Sequence, residues 1–578
     1  MKRVFSYLKP YYGRMSVGLA IKFIGTIMDL LLPYILAYTV DTIVPEKDIN
    51  RILLFGGVMV ACAIVAVLTN IVANRMASRV ARDTTERIRH DLYERVAYLS
   101  CAQADSFSIS SLESRLTSDT YNLHQMLGMM QRLGVRAPIL LLGGILVTMT
   151  LEPVLSLILV TILPLIALIV FVVSKKSIPL YTALQQSVDK LTRIVRENTT
   201  GIRIIKALSQ TRYEKGRFER VNNEVVSNEK AAAKTVALSS PMMNLLLNLA
   251  LIPVIIVGAY RVNEGLTQPG KIIAFLSYFT IILNAMLSIT RMFVIYNRSF
   301  ASAQRIVKVL DTPEDLTPED LGVPREEPWH IAFENVTFSY HKREPSIENI
   351  TFRLKRGETL GIIGATGSGK STVLRLLMRL YDADTGNIRI DGQDVRAYSL
   401  KELRAKFGVV FQNDILFADS IAENISFGRD LSKEELDAAV DIAQAREFIN
   451  ALPDGLNHAL SIKSANLSGG QKQRLLIARA VAMKPEILIL DDSSSALDYK
   501  TDALLRKALR ENLSSSTKII VAQRVSSILH ADCILVLEDG KEAGFGTHEE
   551  LMESCISYRE ISISQMGGEA LGRSEQRA

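Results

Sequence analysis

A single tryptophan, Trp329, and only four cysteines serve a chain of 578 residues. Cys62, Cys101, Cys533 and Cys555 lie far apart and show no CxxC spacing. That excludes a zinc knuckle, argues against a disulfide framework and fits a reducing cytoplasmic face. A compact basic stripe is also lacking. The net charge of +6 is spread over many solvated segments, so nucleic acid is not an expected partner. The N-terminal MKRVFSYLKPYYGR is basic and amphipathic but has no small-residue cleavage site. It reads as an interfacial helix against a membrane rather than a signal peptide. What is present is a composition of two kinds. Hydrophobic residues make up 48% and charged residues still 22%, as expected of an apolar part joined to a water-soluble part in a chain too long for one ordinary domain.

The apolar part is the first half. About 20 apolar residues cross a bilayer core as helix. Six windows meet that test, near 16–40, 53–74, 132–151, 153–173, 237–260 and 272–296. Lys2, Arg3, Lys9 and Arg14 precede the first and place the N-terminus inside. The turn Leu151, Glu152, Pro153 carries no Lys or Arg and is expected outside, whereas 75–131 and 174–236 are long, basic and helical in pattern and belong inside. Spans two to five should therefore continue tens of ångströms into the cytoplasm, at about 1.5 Å per residue. A few polar groups fall inside the windows, among them Asp29, Asn70, Asn244, Asn248, Asn284 and Arg291. Ionisable groups at membrane depth are costly and often functional. Asp29 is a candidate cation or proton partner in a substrate cavity, against the plainer reading that it pairs within the bundle.

The boundaries read as a transmembrane domain over 1–310, a Pro- and acid-rich linker over 311–328 and a soluble domain over 329–578. In the last, GATGSGKS (Gly364, Ala365, Thr366, Gly367, Ser368, Gly369, Lys370, Ser371, followed by Thr372) matches GxxxxGK[ST], between strand-like ETLGIIG and helix-like TVLRLLMRL. That context defines a P-loop. Glycines let backbone N–H groups close around phosphate oxygens at a helix N-terminus, Lys370 reaches the β/γ-phosphates, and Ser371 holds Mg²⁺. ILILD at 487–491 is a buried strand ending in Asp491, the expected second carboxylate of a Mg²⁺ site. LSGGQ at 467–471 supplies Ser468, Gly469, Gly470 and Gln471 at the start of a helix, a second anion-binding surface. One cassette needs a single P-loop to hold ATP. The extra surface makes sense if it caps ATP held by another cassette.

These motifs together resemble the ATP-binding cassette exporters over nearly the whole chain. The resemblance implies a six-helix transmembrane domain of the type IV exporter fold and an α/β P-loop domain. It assigns Tyr340 in FSY to adenine stacking, Gln412 in VVFQND to the metal and coupling loop, and Asp498 in SALD (495–498) to the dimer contact. LFADSIAENI at 416–425 also looks like the exporter pattern; SRLTSDT at 114–120 and RENTTGIRIIKAL at 196–208 look like the family's two cytoplasmic loops. It further implies a dimer in which two cassettes sandwich two ATP molecules head to tail, in a bacterial plasma membrane with the cassettes in the cytoplasm.

Two departures stand out. The family's general base is a Glu directly after the Walker B Asp; here it is Asp492. The switch histidine is replaced by Gln523 in IIVAQRVSSI. Asp is one methylene short, about 1.5 Å, and misplacement on that scale costs roughly 100-fold in rate. Gln523 can hydrogen-bond a γ-phosphate but cannot carry histidine's charge. Both in one site predict ATP binding with slow hydrolysis. With LSGGQ intact, the chain resembles the degenerate-site subunit of bacterial heterodimeric multidrug exporters, donating Ser468–Gln471 and Asp498 to a second half-transporter. In LSIKSAN (460–466), Ile462 stands where an exporter has Glu. The alternatives are a slow homodimer moving lipid or peptide, and an ATP-gated regulatory membrane protein; six spans and LSGGQ exclude a soluble ATPase or kinase. Scattered Asn and one acid among apolar spans suit amphipathic drugs, lipids or peptides. The tail QMGGEALGRSEQRA is polar and expected to be disordered.

Overall fold

The computed structural model describes residues 1–566 apart from 323, 341, 343, 462–465, 494 and 495, with backbone only at several helical positions between 163 and 297. The expected tail at 567–578 and Ile462 lie outside the described residues. The chain divides into two compact units, Met1–Val96 with Ser110–Thr312, and Ala97–Ile109 with Pro313–Ala578. The segment Ala97–Ile109 thus groups with the second unit although it lies within the first by sequence.

The first unit is helical. Its long elements are α1 (Tyr12–Tyr38), α2 (Ile49–Ala97), α3 (Thr120–Leu151), α4 (Pro153–Thr200), α5 (Thr211–Ala237), α6 (Ser239–Asn263) and α7 (Pro269–Leu310). Among the described residues, five helical stretches, containing α1, α2, α3, α6 and α7, are long and apolar enough to cross a membrane. The sixth expected window, 153–173, opens α4, where Pro153–Ile162 is apolar but many of the following side chains are undescribed. α2 runs for 49 residues, about 74 Å at 1.5 Å per residue, more than twice a ~30 Å hydrocarbon core. In their polar halves α4 and α5 are joined by Lys190–Glu224 at 2.8 Å and Arg217–Glu197 at 2.7 Å. Within the apolar part, Leu155, Leu159, Ala250, Val254, Phe275 and Phe279 form a buried cluster from α4, α6 and α7. Leu30, Ala274 and Tyr278 form another between α1 and α7. Small residues set the spacing: a Cβ on Gly144 of α3 would stand 2.8 Å from Ile282 of α7, as expected where apolar lipid leaves helices to associate by close packing.

The second unit holds two sheets. β1 (Ile331–Phe338), β2 (Ile347–Leu354), β4 (Thr385–Ile390) and β5 (Gln393–Asp394) form an antiparallel sheet in the order β2-β1-β4-β5. The larger sheet runs β10-β9-β3-β8-β7-β6, from β3 (Thr359–Gly364), β6 (Phe407–Val410), β7 (Ile487–Asp491), β8 (Thr517–Val521), β9 (Cys533–Glu538) and β10 (Lys541–Gly546). Only β10 is antiparallel to its neighbour. All five residues of β7 are buried, the continuous apolar pattern of a parallel strand covered on both faces. β3 is followed by α8 (Lys370–Leu377), whose Val373, Leu374 and Leu377 share one core with both sheets. α9 (Gly469–Val481) and α10 (Tyr499–Asn512) complete the frame of the site.

Candidate nucleotide site

The order β3-β8-β7-β6 decides which side chains meet. In parallel sheets ligands bind beyond the C-terminal ends of the strands. β3 delivers the P-loop there, β7 ends on Asp491 followed by Asp492, β8 leads within two residues to Gln523, and β6 leads to Gln412. Register seals the arrangement, with Asp491 paired to Val521 and Ile362 to the same Val521. The outcome is a cavity of about 580 Å³ lined by Tyr340, Thr366, Lys370, Ser371, Gln412, Asp491, Asp492 and Gln523, among others.

Backbone geometry explains the glycines. Gly367 and Gly369 have φ of 88° and 97°, values that only glycine adopts readily. A Cβ on Gly369 would also lie 2.5 Å from Ile347. Gly369 is the N-cap of α8, so the unpaired amides of that helix start face the cavity and suit an anion. Gly364, Ala365 and Ser368 are the loop's supports: the Lys370 ammonium donates to the carbonyls of Gly364 at 2.9 Å and Ala365 at 2.7 Å, and Ser368 is buried. Thr372 lines the same cavity and meets the Tyr340 hydroxyl at 3.3 Å.

The Ser371 hydroxyl donates to Asp491 Oδ2 at 2.9 Å, and Gln412 lines the same wall. A hydroxyl, a carboxylate and an amide oxygen are hard donors that fit Mg²⁺ beside a phosphate. Burial pushes the Asp491 carboxyl above the usual range, with the neighbouring Asp492 charge adding to it, while the Ser371 bond and the Arg375 and Lys370 charges oppose it. Burial likewise lowers Lys370, against the pull of Asp491 and Asp492.

Asp492 is held on both sides. Gln523 Nε2 donates to its Oδ2 at 2.8 Å, and Gln412 hydrogen-bonds the same side chain. Its backbone N–H donates to the Val521 carbonyl at 3.0 Å with φ at 51°, a left-handed conformation that Asp tolerates better than most residues. Burial raises the Asp492 carboxyl despite these bonds and the charges of Lys370 and Arg524.

Three residues at this site were not singled out in the sequence. Arg375 donates to the Tyr340 hydroxyl at 2.8 Å and lies over its ring. Tyr381 stands edge-on to Tyr340, with ring centroids 5.1 Å apart, and donates to Asp105 of the short Cys101–Phe107 helix at 2.6 Å. Arg524 faces Asp492 electrostatically. Arg375 and Tyr381 belong to no motif, although Arg375 lies about one and a half turns into the helix after the P-loop; Arg524 directly follows Gln523 in IIVAQRVSSI.

The structure does not bring LSGGQ or Asp498 into this cavity. Ser468 caps α9: its Oγ accepts from the Gln471 N–H at 3.2 Å, and Gln471 Oε1 accepts from the Ser468 N–H at 2.8 Å, a reciprocal capping box. Gly469 and Gly470 follow as the first residues of the helix, and a Cβ on Gly470 would lie 3.1 Å from the Ala496 carbonyl. Asp498 caps α10 through the Thr501 N–H at 2.9 Å and hydroxyl at 2.8 Å, bonds that hold its carboxyl below the usual range. Two side-chain-capped helix N-termini therefore lie outside the residues that line the P-loop cavity. In the first unit, Asp29 Oδ2 accepts from Arg136 at 2.9 Å, which is the pairing within the bundle rather than an unpartnered acid. Asn244, Asn248, Asn284 and Arg291 are exposed there, and Asn70 accepts from Lys22.

Comparison with known proteins places this geometry. Residues 15–286 match the family model of the ABC transporter transmembrane region, and residues 347–495 match that of the ABC transporter. The chain is 34% identical over 571 residues to the uncharacterised ABC transporter ATP-binding protein YfiB of Bacillus subtilis, covering 98% of this chain and 99% of that one. It is 30% identical over 573 residues to the ATP-dependent lipid A-core flippase of Idiomarina loihiensis, covering 98% of each. Its fold matches a bacterial Atm1-family ABC exporter with ATP bound at a TM-score of 0.83 and 24% identity, over 96% of this chain and 99% of that one. The chain belongs to the ABC transporter family, as a multi-pass half-transporter that carries its membrane domain and its ATP-binding domain in one polypeptide.

Proposed function

We propose that the chain is one subunit of an ATP-driven exporter of amphipathic compounds, drugs or lipids among them. In this reading it works as a heterodimer, keeps the slow ATP site for itself and donates Ser468–Gln471 and Asp498 to a competent site on its partner. The observation that carries it is the Asp492–Gln523 pair. The side chain in the general-base position is a methylene short and is engaged by Gln523 and Gln412. Gln523, in the switch position, spends its amide N–H on that carboxylate. A water held by Glu at this position would lie about 1.5 Å beyond the reach of Asp492, enough to cost about 100-fold. Binding is not compromised in the same way. The P-loop amides at the start of α8 cradle phosphates, Lys370 offsets their charge, and Tyr340 offers a ring for the base. When bound, Mg²⁺ would be held by Ser371, Gln412 and Asp491 and would offset phosphate charge. The name of the Idiomarina relative supports an amphiphile as cargo, and the bacterial relatives support a bacterial cell membrane.

A slow homodimer is the second reading, and one observation favours it. The raised Asp492 carboxyl moves toward the pKa that suits a general base at neutral pH. ATP turnover of the chain purified alone in lipid, beside the chain co-expressed with its genomic neighbour, separates the two. An inactive single chain and an active pair support the heterodimer. A single chain turning over at about 1 s⁻¹ or faster, the ordinary enzyme range, makes Asp492 a working base and the homodimer the better account.

A further inference from the structure

The two residues that follow Ala522 carry side chains that face Asp492. Gln523 Nε2 donates to its Oδ2 at 2.8 Å, and Arg524 faces the same carboxylate electrostatically. By then the sheet has ended. Its last pairs here join Val521 to Ile362 and to Asp491. The Ala522 N–H still reaches the Ile362 carbonyl at 3.1 Å, and a short 3-10 turn begins at Val525. Arg524 nonetheless keeps an extended backbone, with φ −111° and ψ 128°. On either side of an extended residue, the preceding carbonyl and the following N–H point the same way. The Gln523 carbonyl and the Val525 N–H therefore look toward one neighbour.

That neighbour is a side chain. Gln565 Nε2 donates to the Gln523 carbonyl at 2.8 Å, and Gln565 Oε1 accepts from the Val525 N–H at 2.8 Å. A primary amide offers a donor and an acceptor in one plane, so it takes the place of one residue of a parallel strand. Gln565 lies in α11 (Ile556–Met566), where Tyr558, Ile561, Ser562 and Gln565 share one helix face at the i, i+3, i+4, i+7 spacing. Tyr558 is fully buried in one core with Val525 and Ile528, Ile561 packs against that core, and Ser562 is buried. The Tyr558 hydroxyl meets His548 Nδ1 at 2.8 Å, and the Ser557 hydroxyl donates to Glu538 of β9 at 2.7 Å. The start of α11 is thus tied to the cassette core, and its last turn brings an amide to the segment behind Asp492. Gln565 itself is exposed, so burial does not account for it; its two bonds do.

We infer that Gln565 is a positioning residue of the nucleotide site, fixing the backbone on both sides of Arg524 and so the placement of the Gln523 amide and the Arg524 guanidinium around Asp492. One N–H of the Gln523 amide goes to Asp492, and the second remains for a terminal phosphate oxygen. Losing Gln565 therefore weakens recognition of the third phosphate. The P-loop and Tyr340, which hold the rest of the nucleotide, stay as they are. The proposal rests on the reading of this cavity as an ATP site and holds for a heterodimer and a homodimer alike.

The test reads equilibrium binding of AMP-PNP and of ADP, each with Mg²⁺, to the full chain in lipid nanodiscs. Gln565→Met removes both bonds and keeps the length of the side chain. It should weaken AMP-PNP about five-fold, the scale of one neutral hydrogen bond, and leave ADP within about two-fold. Gln565→Glu offers a donor beside its acceptor only when protonated. Measured against the unsubstituted chain at each pH, its AMP-PNP affinity should recover as pH falls from about 7.5 toward the ordinary glutamate range, whereas Gln565→Met should show no recovery. Equal weakening of both nucleotides in Gln565→Met marks a merely structural helix and overturns the inference, as does AMP-PNP binding unchanged in both variants. If Gln565→Met fails to fold and binds neither, Gln565→Glu decides, because its pH profile compares one protein with itself: recovery supports the inference and a flat profile refutes it. An unsubstituted chain that binds neither AMP-PNP nor ADP overturns the reading of the cavity, and this inference falls with it.

Discussion

Replacing Asp492 by Glu together with Gln523 by His should restore hydrolysis at this chain's own site, and the structure says by how much. Asp492 Oδ2 is held at 2.8 Å from Gln523 Nε2. Adding one methylene advances the carboxylate about 1.5 Å, and removing the glutamine amide frees it. If misplacement of the base is the whole defect, the gain is about 100-fold, or roughly 2.7 kcal/mol of activation free energy at 1.36 kcal/mol per ten-fold. In the pair this gain would be masked by a fast partner site. Ser468→Ala in the same chain removes that background, because Ser468 serves the partner's ATP in the proposed sandwich. Turnover of the pair carrying Ser468→Ala is thus the rate of the slow site, and adding Asp492→Glu with Gln523→His should raise it about two orders of magnitude. Ser468 also caps α9, and loss of such a cap costs about 1 kcal/mol, so thermal unfolding is measured alongside. The reasoning is refuted if Ser468→Ala leaves the pair's turnover intact, or if the double change leaves the slow site as it was.

Three other substitutions lead to four further outcomes. Asp491→Asn should abolish Mg²⁺-dependent ATP hydrolysis at this site, read in the Ser468→Ala background. The same change should stabilise the nucleotide-free protein at neutral pH. A carboxyl raised by burial lets the native state bind the proton more readily than the unfolded chain, so stability falls as pH rises from the ordinary carboxylate value through the raised one; the advantage of Asn should vanish below that window, as thermal unfolding against pH will show. Tyr340→Ala should weaken ATP binding by roughly ten-fold or more, since a base–aromatic stack contributes about 1–3 kcal/mol, and a fluorescent nucleotide titration reads it. Gly144→Leu should impair assembly of the membrane domain, because even a Cβ would stand 2.8 Å from Ile282; overpacking costs about 1–3 kcal/mol, visible as a lower unfolding temperature in detergent.

The P-loop, ILILD and LSGGQ were legible from residues alone because their chemistry is local. A few consecutive backbone amides and one or two adjacent side chains do the binding, so contiguous spelling suffices. The membrane windows were legible for a similar reason, since crossing a bilayer demands a continuous apolar run. The departures at Asp492 and Gln523 could also be named from their motifs, 31 residues apart in the chain. That they touch was not in the sequence. It depends on β7 and β8 lying side by side, a pairing that long-range hydrogen bonds decide. Arg375 and Tyr381 escaped notice because they meet Tyr340 only once β1 and α8 have packed on a common core. Lys22 and Arg136 escaped for the opposite reason: a hydropathy window averages a single cation into its apolar neighbours and erases it. Asp29 stood out as the one acid, yet whether it was bare or paired lay with Arg136, 107 residues away. The sequence by itself thus determined the family and where its apolar spans and nucleotide motifs lie. Tertiary structure alone decided which charges meet, because Coulomb attraction and repulsion act over distances in space that spacing along the chain does not record.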